Sequence, residues 1–432
     1  MRFLDTDSLR FEKFYSLPPA DFKFAVLSHT RSTPSDEVTC RGTSWLGQHA
    51  AGDHQIKRAC ERAQRFNIRY LWVDTICIDQ DSTADVVEAV VSSFDLVWNA
   101  ALCMVHLPDL SPVGTSEGPP PDLEKSLSGC QWFTRGWTLQ DLVAAQRVEF
   151  FDRDFNLRGT KESTSPRSWL EMLSRVSGVD THVLAKRDQL HEVSLGRRLS
   201  WAAGRHTTRP EDIAYALLGI CGVGGRMTPR YGEGLRSAFF RLQKKILECT
   251  NDLSILAWKR EQQTSDDHDH EGQQPSTQAH SGVLAHSPAD FRHFASHPAW
   301  MFPFESDCEL QFNNRGLRVS QALLSGRPQR GDGREFVFLL NQTAGMDNVG
   351  ISVREVKPGL FVRADPHGIT CLPPAAQESA LARIDLCLEP TLRKESCRML
   401  QLQKGKHVPA WIAGVSQYST SPASRSSFVS EF

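Results

Sequence analysis

Ten residues, Trp132-Phe-Thr-Arg-Gly-Trp-Thr-Leu-Gln-Asp141, hold three aromatic rings, an arginine and a carboxylate. The stretch is too polar for plain core and too aromatic to leave in a solvated loop. It reads as the approach to a helix that carries Trp137 and Asp141 on one face, four residues apart. Arg135 stands beside them, placed either to pair with Asp141 or to meet a ligand phosphate. Trp132 and Trp137 read as packing residues or as platforms for a base.

The elements that would position these groups follow from hydrophobic pattern. Residues 22–28 form an apolar strand ending at Ser28-His29-Thr30, and residues 54–66 place Ile56, Cys60, Ala63 and Phe66 at helical spacing. Tyr70–Val73 returns as a strand ending in Asp74, and residues 85–98 make a second helix. A strand at Ala100–Leu107 ends near Asp109, a Pro/Gly/Ser-rich loop covers 111–121, and a strand at Arg147–Phe151 closes on Asp152. Alternation of this kind predicts an α/β fold with an open, mostly parallel, doubly wound sheet. Ligands of such sheets bind outside the carboxyl ends of the strands, where Ser28, His29, Asp74 and Asp109 would lie. Each of these equally suits a turn or a helix cap. Asp74 and Asp79, flanking Thr75-Ile-Cys-Ile, either hold ribose hydroxyls or cap the next helix.

Residues 1–155 are therefore read as one α/β domain and 156–259 as a helical extension. In the extension, Thr207-Thr-Arg-Pro-Glu-Asp-Ile-Ala-Tyr opens a helix that Gly222–Gly225 breaks, and Tyr231-Gly-Glu-Gly234 opens another. Those glycines lack the Gly-Lys-Ser/Thr of a phosphate loop. Residues 260–281, with His268, His270 and His280, read as a disordered linker, 282–415 as a smaller β-rich domain and 416–432 as a flexible tail.

Composition narrows the function. The 432-residue chain is 40% apolar with a formal net charge of -2, which gives no pull toward nucleic acid or anionic membrane. No segment approaches the length of a membrane span, and no secretory signal opens the sequence. Eleven cysteines, among them Cys60, Cys77, Cys103 and Cys221 in apolar surroundings, show no metal-ligand spacing and read as reduced core residues. A soluble cytoplasmic protein with no metal and no required cofactor is expected.

Three blocks, Phe24-Ala-Val-Leu-Ser-His-Thr30, Tyr70-Leu-Trp-Val-Asp-Thr-Ile-Cys-Ile-Asp79 and Trp132–Leu142, resemble in order and spacing the heterokaryon-incompatibility (HET) domain of filamentous fungi. Leu199-Ser-Trp-Ala-Ala203, Thr208–Tyr215, Tyr231–Gly234 and Asp252–Trp258 look like the segment that follows it, so the resemblance covers residues 1–260. It implies a role in fungal self/non-self recognition, where such proteins trigger cell death after incompatible fusion, through a protein partner or self-association. A HET-like accessory of a metabolic gene cluster is an alternative. The HET domain is in turn distantly similar to TIR domains, some of which cleave NAD. That similarity implies a TIR-like fold with NAD as substrate, Asp141 at the position of the catalytic glutamate, and Ser28, His29, Asp74, Asp79, Arg135 and Trp137 as ligand-binding residues. The sequence departs from the family pattern twice. Asp141 is one methylene shorter than the usual glutamate, and Thr30-Arg31 stands where the family continues with Trp-Gly.

Overall fold

The computed structural model describes residues 1–14, 22–30, 50–112, 122–261, 281–296, 300–303, 308–327, 335–373 and 379–388. Arg31, most of the 111–121 and 260–281 segments with their three histidines, and the 416–432 tail lie outside these. Residues 1–388 belong to one compact unit.

The first sheet takes the strands β1 (Arg2–Asp5), β2 (Phe11–Lys13), β3 (Phe24–His29), β4 (Tyr70–Val73), β5 (Leu102–His106), β6 (Val148–Phe151) and β7 (Leu157–Lys161), in the order β2-β1-β4-β3-β5-β6-β7. The four central strands are parallel, as the alternation predicts. The sheet as a whole is mixed, because β1 pairs antiparallel with both β2 and β4, and β7 pairs antiparallel with β6. Short connections set two of these pairings: the turns joining β1 to β2 after Asp5 and β6 to β7 after Asp152 are too tight for a parallel crossover.

Helices cover both faces. Ala25 and Leu27 of β3 point to one face and meet Ile56, Ala59 and Ala63 of α1 (Ala50–Gln64). Phe24 and Val26 point to the other, within the core that holds Leu96 and Val97 of the long helix after β4 and Leu139 and Leu142 of the helix before β6. After β4 come a single turn, α2 (Asp74–Cys77), and then α3 (Thr83–Asn99), whose cap Ser82 accepts the Asp85 N–H at 3.2 Å. The short α4 (Leu123–Ser128) leads through a 3-10 turn, Gln131–Thr134, to α5 (Thr138–Ala144). The fully buried Lys161 side chain donates to the Leu142 and Ala145 carbonyls at 2.9 and 2.5 Å, and Arg187 donates to Ala144 O at 2.8 Å. Two basic side chains thus satisfy the carbonyl end of the helix that carries Asp141.

The extension is helical: α6 (Arg167–Ser177), α7 (Thr181–Ala185), α8 (Leu195–Ser200), α9 (Asp212–Tyr215) and α10 (Gly234–Leu247). The helix expected from Thr207 onward is one turn long, with turns continuing to Gly222. Glu211, expected to favour a helix dipole, instead accepts the Gly232 and Gly234 N–H groups at 2.8 and 3.0 Å. Both glycines have positive φ, +93° and +77°, so this loop needs residues without a Cβ. The Tyr-Gly-Glu-Gly motif is accordingly a receptor for Glu211.

The β-rich remainder holds β8 (Trp300–Pro303), β9 (Leu310–Asn313), β10 (Gly316–Arg327), β11 (Glu335–Ala344), β12 (Asp347–Lys357), β13 (Leu360–Arg363), β14 (Thr370–Leu372) and β15 (Ser379–Leu386). β10, β11, β12, β13 and β15 close a ring in which only β13–β15 is parallel, as an odd number of strands requires. Closure removes edges that would otherwise template association. The ring rests on the extension through Arg363, which donates to Leu256 O at 2.7 Å and Trp258 O at 2.6 Å and lies 3.9 Å over the Trp258 ring. No helix among the described residues is long and apolar enough to cross a membrane.

Candidate functional site

Register sets the floor of the site. Parallel pairing places Ser28 beside Val105 and His29 beside His106, so the ends of β3 and β5 are level, with Asp74 opening α2 at the end of β4. Ser28 is 4% exposed, and its Oγ donates to Asp141 Oδ2 at 2.6 Å. The buried Trp132 supplies Nε1–H to the same Oγ at 2.8 Å, so a chain of donors, Trp132 to Ser28 to Asp141, orients the carboxyl. Burial pushes the Asp141 carboxyl up to about 7; the Ser28 hydrogen bond opposes this, the charge of Asp74 adds to it and that of Arg205 opposes it.

A cleft of about 240 Å³ stands over this floor. Ser28, His29, Asp74, Arg135, Trp137 and Asp141 all line it. His29 Nδ1 lies 4.0 Å from Asp74 Oδ1. Trp132 packs instead, edge-on to Phe133 at 5.0 Å. Asp79 stands outside the lining and accepts the Asp81 N–H at 3.1 Å in the turn before α3. Asp109 accepts the Gln131 N–H at 2.7 Å and so starts the 3-10 turn that carries Trp132. Arg135 does not reach Asp141 with a hydrogen bond; its Nη2 donates to Thr208 Oγ1 at 3.0 Å.

The outer wall comes from the extension, which pattern reading did not connect to the site. Thr208, Arg209, Asp212 and Tyr231 line the cleft together with Trp72 and Gln140. Asp212 is clasped by Trp137 Nε1–H at 3.2 Å and Tyr231 O–H at 3.0 Å; burial raises its pKa and the two hydrogen bonds lower it. The guanidinium of Arg209 lies 4.3 Å over the Tyr231 ring. Backbone bonds stitch this wall to the aromatic tract, Gly136 N–H to His206 O at 2.9 Å and His206 N–H to Thr134 O at 2.8 Å. Behind it, the buried Arg205 donates to Arg135 O at 2.9 Å and Thr138 Oγ1 at 3.2 Å, and burial pulls its pKa down to about 9. The available signal was the clustering of Arg, Asp and Tyr at Pro and Gly turns in Thr208–Asp212 and Tyr231–Gly234. Only tertiary packing brings them to Trp137.

Fold and cleft together define a mixed α/β protein with a polar, aromatic-walled site at the carboxyl ends of its parallel strands. Residues 24–111 match the profile of the family described as heterokaryon incompatibility protein (HET). The chain is also 35% identical over 249 residues to vegetative incompatibility protein HET-E-1 of Podospora anserina, a span covering 55% of this chain and 17% of that relative. Residues 24–111 are thus similar to a HET domain. It spans about a sixth of the length of the curated relative it matches, 17%. No solved structure matches it.

Proposed function

We propose that this chain acts in fungal self/non-self recognition as a cytoplasmic signalling protein that triggers cell death, with its cleft as a TIR-like site for a nucleotide of the NAD class. The relative's description as a vegetative incompatibility protein supports the role. The observation that carries the nucleotide reading is the convergence on one cleft of Asp74, at the end of β4, with Arg135, Trp137 and Asp141 of the aromatic tract and α5. An aromatic wall suits a base or a nicotinamide ring, and carboxylates suit ribose hydroxyls. Breaking the nicotinamide–ribose bond develops positive charge at the anomeric carbon, and nicotinamide leaves neutral, so a single carboxylate facing that carbon is enough.

The same geometry argues for slow chemistry. Ser28 already holds one oxygen of Asp141, and with burial raising its pKa to about 7 much of the carboxyl is neutral near neutral pH. Output then rests on partner contact or self-association governed by what the cleft holds. Incubating the full chain with NAD and following nicotinamide and ADP-ribose tests the reading: binding with slow release is expected. Absence of both binding and release overturns the nucleotide assignment.

A further inference from the structure

The geometry points to a phosphoryl-binding clamp formed by Arg135 and Arg209 at the outer wall of the cleft, which makes the ligand a nucleoside phosphate and excludes the free nucleoside. The inference rests on the nucleotide reading of the same cleft and adds which residues hold the phosphates and how the ligand is oriented. Both guanidiniums line the cleft, and among the described residues neither has a carboxylate at ion-pair distance. They belong to one neighbourhood, because Arg135 donates to Thr208, the residue next to Arg209.

Glu211 and Asp212 feel the charge of Arg209, but other donors hold their oxygens and neither forms an ion pair with it. Glu211 holds the Gly232 and Gly234 N–H groups, and both oxygens of Asp212 accept hydrogen bonds from Trp137 and Tyr231. Two like charges on a shared wall repel unless an anion joins them, and a guanidinium fork matches phosphate oxygens in shape as well as charge. Tyr231 beneath Arg209 and Thr208 beside Arg135 restrict the two forks before any ligand arrives, which lowers the entropy lost on binding. Asp141 and Asp74 supply negative charge elsewhere in the cleft. A ligand bearing phosphate at one end and ribose or a pyridinium at the other satisfies both, with its sugar end toward Asp141.

The test is calorimetric titration of the full chain with inorganic pyrophosphate, NAD and nicotinamide riboside. Pyrophosphate is expected to bind, and NAD to bind about tenfold or more tightly than the riboside. Arg135→Gln and Arg209→Gln should each weaken pyrophosphate and NAD about tenfold and leave the riboside unchanged, while Arg209→Lys recovers part of the loss. Thermal melting identifies any variant that fails to fold, and the other arginine then decides. Undetectable pyrophosphate binding by the wild type, equal binding of riboside and NAD, or folded glutamine variants with unchanged pyrophosphate binding overturns the clamp. A chain that binds pyrophosphate through both arginines but releases no nicotinamide sinks the cleavage reading and leaves the clamp standing.

Discussion

Arg363 in the C-terminal ring and Arg205 behind the cleft are both buried, and burial pulls both guanidiniums down to about 9. Arg363 has spent its donors on the carbonyls of Leu256, Trp258, Asp365 and Gly368. Arg205 keeps its Nη2 without a hydrogen-bond partner among the described residues, and Asp141 is the anion that acts on it. The ring uses its buried charge to fix one element onto another. The wall behind the cleft holds a charge whose hydrogen bonding is incomplete and whose field falls on a titrating carboxyl. Incomplete satisfaction of buried polar groups is tolerated where a site must be kept polar, and is a pointer to function for that reason.

Breaking the saturated arginine should have the largest effect. Arg363→Met leaves several buried carbonyls without donors and should cost about 3 kcal/mol or more of stability by denaturant unfolding, with nucleotide binding by the folded fraction unchanged. Gly136→Ala comes next. Its new Cβ would stand 2.5 Å from Thr207 Cγ2 and 3.2 Å from Ile213 Cδ1, so the stitched loop must move. A loss of about 1–3 kcal/mol is expected, with weaker NAD binding because the outer wall shifts with it.

The cleft's own titration sharpens the comparison through pH. Burial holds the Asp141 carboxyl near 7 in the folded chain, against an ordinary value of 3.8, so the native state favours its protonated form. The stability this contributes is fully present below the unfolded pKa and is lost as pH rises through about 7. Asp141→Asn keeps an acceptor for Ser28 and removes the charge. Its melting temperature should exceed that of the wild type at alkaline pH and approach it under mildly acidic conditions. A gain that is the same at every pH would contradict the burial of this carboxyl. Tyr231→Phe should have the smallest effect, about 1 kcal/mol in stability, from loss of one hydrogen bond to Asp212.

The floor of the cleft was legible in the sequence and its outer wall was not. Ser28 and Asp74 end apolar runs that a parallel sheet brings to one rim, and Asp141 follows from the helical spacing to Trp137. The antiparallel edges of that sheet, and the ring closed by β13 and β15, depend on turn length and long-range pairing that periodicity does not encode. Arg209 and Tyr231 sit on turns and Asp212 opens the single-turn α9, and local sequence explains only those elements. Their function depends on Trp137, 75 residues from Asp212 in the chain. Asp79 shows the reverse: a carboxylate near a strand end that serves its own turn.

The most direct test of the central claim is the rate of nicotinamide release from NAD by the full chain and two Asp141 variants. If Asp141 faces the anomeric carbon, the wild type is slow, Asp141→Glu is faster because its carboxylate reaches further into the cleft, and Asp141→Asn releases none. Release by folded Asp141→Asn at the wild-type rate would contradict that assignment.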